Sequence, residues 1–239
     1  MAQPCYPPSP NPICVIGSQF VAPYPFEVII VRKSSGDHLI TDVNHKIMFK
    51  VKRRSTSFHD QRLIVDADDK PIVLIREKIL TAHSGWKAYK GGNSNADSEK
   101  IFITKTPKIM HSKGNVHVFL DKKTSSKDSC DFNVTGSWSN RSCTIYIGDS
   151  STIIAQMHNM EPPENVKDKF MVKIYPYVDY AFVVTLMVIV EAMKSSYIDN
   201  DDADNDDTDK DDADHAIGDV VESIGDVGVV AEVIGKMFF

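Results

Sequence analysis

The sequence predicts a mainly β protein, a closed twelve-stranded antiparallel β-barrel around one hydrophobic C-terminal α-helix. Between Phe26 and Tyr175 there are twelve short apolar or alternating segments, each bounded by turn residues, which is typical of antiparallel strands. Their connections are mostly short, which favours antiparallel neighbours over helical crossovers. The segment that follows is apolar on every side, so it needs protein around it. A closed barrel supplies that cover and leaves no exposed sheet edge.

The candidate strands follow one another with turn residues such as "SSGD", "HSKGN" and "GDSS" between them. The turn "DDK" leads directly into the fifth candidate, a hairpin signal with Asp residues at the reversal. In chain order the candidates are "FEVIIVR", "HLITDV", "HKIMFKVKR", "RLIVDA", "PIVLIREKI", "GWKAYK", "KIFITKT", "VHVFLD", "DFNVTGSW", "CTIYIG", "STIIAQMH" and "KFMVKIYP".

The helix prediction rests on "DYAFVVTLMVIVEAMK", in which twelve of the fourteen residues from Tyr180 to Met193 are apolar. Fourteen helical residues span roughly 21 Å, less than the hydrocarbon core of about 30 Å. Asp179 suits the N-cap and the helix dipole. We predict a buried core helix over 179–195, with a membrane anchor and a β-strand as alternatives, the latter because of its β-branched residues. Its core positions are Tyr180, Phe182, Val183, Leu186, Met187, Ile189 and Val190.

The charge is divided between the two ends of the chain. Residues 199–239 carry fourteen acidic residues and two lysines, a net charge of −12, whereas the remaining 198 residues carry +6. We predict a proline-rich N-terminal arm over 1–22, a barrel over 23–198, an acidic disordered linker over 199–214 and a weakly amphipathic helical tail over 215–239. Weak Ca²⁺ association with the acidic run is left open, although it lacks the glycine and glutamate of an EF-hand loop.

No catalytic constellation is recognisable in the sequence. It contains no HExxH, no GxSxG, no phosphate-binding loop and no dinucleotide fingerprint. We therefore predict no catalytic residues, no metal site and no cofactor, while an enzyme with a site assembled from scattered residues stays an alternative. Nucleic acid is not expected as a partner, because the positive excess is modest and no binding motif is present.

The N-terminus, "MAQPCYPPSPNPICVIG", has no basic region followed by an apolar run, and its prolines disfavour a helical signal sequence. We expect an intracellular, cytoplasmic protein with no transmembrane segment, and membrane association or a nuclear location remain open.

Basic residues cluster in "KVKRR", where Lys50, Lys52, Arg53 and Arg54 are the candidate phosphate contacts of an anionic lipid. On a strand Lys50 and Lys52 share one face, so they form a local positive patch. The alternative is a solvated barrel exterior without a ligand.

The order of the motifs resembles that of the LURP-one-related (LOR) family, which is found mainly in plants. "VDADDKPIVLIREKILTAHSGWKAYKG" is similar to its D-x-x-G-x-P-L-x-x-x-x-x-K hairpin followed by W, although Asp69 stands where the family often has Gly. "DFNVTGSWSNRSCTIY" and "PYVDYAFVVTLMVIVEAM" resemble its other two signatures, and the likeness covers roughly residues 23–194. It implies a twelve-stranded barrel around a central helix, akin to the tubby C-terminal domain and the phospholipid scramblases.

That resemblance implies lipid-related functions and a link to plant defence, but it transfers no binding residue. Our leading hypothesis is a non-enzymatic binding module that tethers to membranes through anionic phospholipid or phosphoinositide. The acidic tail is also a candidate competitor for the basic barrel surface. The alternative function is a protein-interaction scaffold in which residues 215–239 dock a partner.

Overall fold

The computed structural model describes residues 11–56, 59–78, 85–95, 98–106, 115–121, 129–137, 142–160 and 169–201. Its regular elements are a 3₁₀ turn (Ser18–Phe20), β1 (Phe26–Arg32), β2 (His38–Asp42), β3 (Ile47–Thr56), β4 (His59–Asp66), β5 (Pro71–Glu77), β6 (Trp86–Lys90), β7 (Lys100–Lys105), β8 (Val116–Leu120), β9 (Phe132–Ser137), β10 (Ser142–Ile147), β11 (Ile153–Asn159), β12 (Lys169–Ile174) and α1 (Tyr180–Asp201).

The strands form one closed antiparallel barrel, which confirms the predicted fold class. Each strand pairs with its neighbours in the chain, and β1 pairs with β12 to close the sheet. The chain enters α1 directly after β12, at the end of the barrel where β1 begins, and the rings of Phe26 and Tyr180 lie 5.2 Å apart there. We call this end the helix-entry end and the other the far end.

The helix α1 fills the barrel interior. Phe182 is fully buried, and its ring lies 5.4 Å from that of Phe102 on β7 and 4.9 Å from that of Phe132 on β9. Because the segment is helical, the β-strand alternative is wrong. Among the predicted core positions, Tyr180 is half-buried and the others are at most 2% exposed: Phe182, Val183, Leu186, Met187, Ile189 and Val190. Within the described residues, no helix combines the length and apolar character that crossing a bilayer requires.

Asp179 joins the start of the helix to the N-terminal segment. Its Oδ1 accepts the backbone N–H of Phe182 at 3.0 Å, the N-cap bond expected from the sequence. Its Oδ2 accepts three further N–H groups, from Val15 (3.1 Å), Ile16 (2.7 Å) and Gly17 (3.0 Å). The carboxylate is fully buried, so these charge-assisted bonds fasten the predicted arm to the helix-entry end.

The C-terminal part differs from the prediction in one boundary. The helix continues to Asp201 rather than ending at residue 195, so it includes the first residues of the predicted acidic linker. The barrel with its helix belongs to one compact unit, Met1–Asp199, and Asn200–Phe239 is a separate unit. The rest of the linker and the predicted helical tail, 202–239, lie outside the described residues.

Candidate anion-binding surface

The four basic residues predicted as a lipid site lie on two faces of β3. Val51 is buried and faces the interior, so Arg53 two residues later also faces inward. Lys50, Lys52 and Arg54 face outward, and Arg54 is exposed. The structure therefore brings three of the four together and separates Arg53 from them.

Two of the outward residues are already paired with one carboxylate. Asp69, in the hairpin between β4 and β5, contacts Lys50 Nζ at 2.9 Å and Lys52 Nζ at 2.8 Å. Hydrogen bonds from Lys52 and Lys50 lower the pKa of Asp69 to about 2. Asp69 has φ of 65°, a left-handed conformation that favours Gly and is tolerated by Asp. The residue that departs from the family motif thus partly neutralises the predicted patch.

Arg53, whose side chain is exposed, belongs instead to a polar cluster at the mouth of the far end of the barrel. Its Nε lies 3.4 Å from Asp60 Oδ1, and Nη2 of the buried Arg62 lies 3.4 Å from Asp60 Oδ2. His38 on β2 is 2% exposed, and neither of its ring nitrogens has a hydrogen-bond partner in the described part of the chain. Burial, reinforced by Arg62 and Arg32, lowers the pKa of His38 to about 3. The imidazole is therefore neutral at physiological pH.

A second group of basic residues is assembled by the register of the outer face. Arg54 on β3 lies opposite Gln61, Gln61 lies opposite Arg76 on β5, and Arg76 lies opposite Lys87 on β6. Directly opposite residues share a face, and Val73, Ile75 and Ala88 occupy the buried inner face of the same strands. Arg54, Arg76 and Lys87, which we call the basic row, therefore lie in one line on the outside near the far end, with Gln61 between Arg54 and Arg76.

Like charges surround Lys87 in the described part of the barrel, and one of them, Lys100, is paired with Asp121 at 2.6 Å. Partial burial lowers the pKa of Lys87, and Lys78, Lys100 and Arg76 lower it further. Among the residues that the structure describes, none of Arg54, Arg76 and Lys87 has a carboxylate within 4.0 Å. Uncompensated neighbouring cations produce a local positive potential that an anionic group would relieve.

Sequence reasoning missed Arg76 and Lys87. Each is separated from the next basic residue, in "PIVLIRE" and "GWKAYK", so a search for basic runs passes over them. The available signal was the hairpin itself: once β5 and β6 are paired in register, the two side chains fall opposite each other.

The described residues offer little for metal or thiol chemistry. Nowhere in them do three His, Cys, Asp or Glu side chains converge as metal ligands. Cys143 is 1% exposed, and burial together with Glu191 raises the pKa of its thiol to about 12. A thiol held protonated in this way is a poor nucleophile.

The family model and the most similar curated proteins found by comparison carry the same family name. A family model described as LURP-one-related matches residues 27–191. Protein LURP-one-related 15 of Arabidopsis thaliana is 39% identical over 184 residues, which is 74% of this chain and 84% of that protein. LURP-one-related 10 of the same plant is 37% identical, covering 80% of this chain and 100% of its own. An X-ray structure of an Arabidopsis thaliana protein has a TM-score of 0.60 and 36% identity, covering 75% of this chain and 98% of that one.

Proposed function

The chain belongs to the LURP-one-related family, and on that premise we propose that it is a non-enzymatic binding module that attaches to anionic phospholipid through the outer face of its barrel. The basic row carries the proposal. Arg54, Arg76 and Lys87 lie in one line across strands β3 to β6, with Gln61 of β4 between Arg54 and Arg76, and lack carboxylate partners among the described residues. Membrane tethering and a part in plant defence belong to the same proposal.

The chemistry of the row suits phosphate. Guanidinium groups present several N–H donors in a planar fork that matches phosphate oxygens, and Arg54 and Arg76 supply two such groups. Next to the row on the same face, Leu63 and Leu74 are only 3% and 2% exposed, so the charges of the row, rather than an apolar strip, carry the contact with a headgroup.

The decisive experiment is vesicle co-sedimentation of the full-length protein. Vesicles of phosphatidylcholine alone are compared with vesicles that also contain phosphatidylserine or phosphoinositide, at low and high salt. We expect binding to the anionic vesicles that weakens with salt, since screening reduces attraction between exposed charges. Phosphoinositide preference over phosphatidylserine at equal charge would assign the ligand to a specific headgroup rather than to surface charge.

A matched pair of variants locates the surface. Arg76→Gln combined with Lys87→Gln removes two positive charges from the basic row, and we expect binding to fall by about twenty-five-fold, near five-fold per residue. Lys46→Gln combined with Lys173→Gln removes two charges near the helix-entry end and should have a much smaller effect. Equal losses in the two variants would refute the row as the site. Absence of binding in every vesicle would favour the protein-interaction scaffold.

A further inference from the structure

A cleft at the helix-entry end is unrelated to the basic row. It has a volume of about 420 Å³ and lies between the β2–β3 hairpin, the β4–β5 hairpin and the start of α1. A neighbouring cleft of about 460 Å³ shares Tyr24, Phe26 and Asp42 with it. Clefts of this size accommodate small organic ligands.

Exposed apolar side chains concentrate around these two clefts. Tyr24 is 44% exposed, Ile47 39% and Val43 50%, and all three line one cleft or the other. Such side chains are unremarkable when scattered, but grouped at a concavity they mark a binding surface.

The floor of the first cleft, the one of about 420 Å³, is aromatic. The ring of Tyr180 lies 5.6 Å from that of Phe20, 5.2 Å from that of Phe26 and 5.9 Å from that of Phe49. These four side chains all line the cleft. Aromatic faces carry negative electrostatic potential, so this floor attracts a cation that also has an apolar surface.

The two flanking hairpins are built alike and hold their acidic residues in place. Asp42 Oδ1 accepts the backbone N–H of Asn44 and of Lys46, both at 2.9 Å. Asp66 Oδ1 makes the corresponding bonds in the second hairpin, from Asp68 at 3.0 Å and Lys70 at 2.9 Å. These Asx turns fix the two carboxylates before any ligand arrives.

The cleft keeps an excess of negative charge. Asp42, Asp66 and Asp68 line it together with Lys46, and no basic side chain of the described residues lies within 4.0 Å of the three carboxylates. Lys50 and Lys52, on the outer face of β3, are held by Asp69 instead. In the β4–β5 hairpin, Asp69 is therefore paired with lysines, whereas Asp66 and Asp68 face the cleft and can pair with a cationic ligand.

We propose that this cleft binds a small organic cation, an ammonium group bearing methyl or alkyl substituents, with the aromatic floor taking the apolar surface and Asp66 and Asp68 balancing the charge. The combination follows from the chemistry of the lining: an aromatic floor alone accepts neutral apolar ligands, and carboxylates alone accept hydrated metal ions. An alkylated ammonium group satisfies both, because it is weakly hydrated and charged.

The test is an NMR titration of the ¹⁵N-labelled full-length protein with choline, at constant ionic strength. The backbone amides of Asn44, Lys46, Asp68 and Lys70 report on the two turns. We expect saturable shifts at these amides with choline and much smaller ones with its neutral carbon isostere, in which a tert-butyl group replaces the trimethylammonium. Equal shifts with both compounds, or none with choline, would overturn the proposal without requiring any variant.

Two variants then test whether the carboxylates of the cleft contribute to choline binding. Asp68→Asn removes an exposed carboxylate of the cleft, and we expect choline affinity to fall about three- to five-fold. Asp37→Asn is the matched control, because it makes the same charge change at the far end and Asn can still accept the N–H of Arg53. The same affinity in both variants would show that the cleft carboxylates do not contribute. This outcome is independent of vesicle binding, which uses the other end of the barrel.

Discussion

Substitution of Asp69 by Gly should release Lys50 and Lys52 from their ion pairs with Asp69, so that both lysines can contact an anionic membrane. Asp69 is the shared partner of Lys50 and Lys52, and both lysines lie on the outer face that carries Arg54. The backbone at position 69 has φ of 65°, which Gly adopts without steric cost, so the turn is expected to persist. The pKa of Asp69 is lowered to about 2, so the carboxylate stays charged above that pH and mild acid does not release the lysines.

The expected gain follows from the number of cations released. A lysine near an anionic membrane surface strengthens binding by about five-fold, so two lysines give an increase between about five- and twenty-five-fold. Vesicle co-sedimentation at low salt measures it, with far-ultraviolet circular dichroism as the check on folding. Asp69→Asn should give a similar increase, since Asn removes the charge and also tolerates this conformation.

The triple variant Asp69→Gly, Lys50→Gln, Lys52→Gln separates this mechanism from a general change in net charge. If the two lysines mediate the gain, the triple variant loses it. Unchanged vesicle binding in a folded Asp69→Gly protein, or a gain that survives in the triple variant, would refute the reasoning.

Three further predictions concern the barrel itself. Asp179→Asn should lower the free energy of unfolding by more than about 3 kcal/mol in urea titrations, because its NH₂ group cannot accept the N–H bonds that the carboxylate receives; a loss below about 1 kcal/mol would contradict this. The pKa of His38 is lowered to about 3, so its contribution to stability is present above pH 6.5 and lost as pH falls below it, by about 1.4 kcal/mol per pH unit. Between pH 6.5 and 5 the free energy of unfolding of His38→Met should therefore fall by about 2 kcal/mol less than that of the parent. Parallel profiles of unfolding free energy against pH in the two proteins would argue against a neutral buried imidazole. Iodoacetamide should label the exposed Cys14 but not Cys143 until the protein is unfolded; rapid labelling of native Cys143 would show that it is accessible as thiolate.

The fold was predictable because its two signals are physically strong. A segment apolar on every face has to be surrounded, and consecutive strands with short turns leave a closed barrel as the arrangement that surrounds it. The C-terminal end of α1 was harder to predict from the sequence. The apolar pattern stops at Met193, but no Gly or Pro follows before Asp201, so nothing local interrupts helical hydrogen bonding. Likewise, Asp179 could be assigned as an N-cap, whereas its bond to Ile16 joins residues 163 positions apart.

The candidate site was harder because it depends on register. Lys50 and Lys52 share a face, as the alternation of a strand predicts, but their neutralisation by Asp69 arises from a contact between two hairpins. Arg54, Arg76 and Lys87 come into one line only after four strands are aligned, and a slip of one residue would place them on different faces. Sequence inspection favours basic runs such as "KVKRR", which a strand divides between its two sides.

The two proposed sites should act independently, because the barrel separates them by more than the range of screened electrostatics. A seven-residue strand such as β5 spans roughly 23 Å, and Asp68 and Arg76 lie near its opposite ends. The Debye length is about 10 Å at 0.1 M salt, so a charge change at one end is largely screened at the other. The Arg76→Gln, Lys87→Gln variant should therefore bind choline like the parent, while Asp68→Asn should bind anionic vesicles at least as well. A variant that lost both activities would indicate damage to the barrel rather than to either surface.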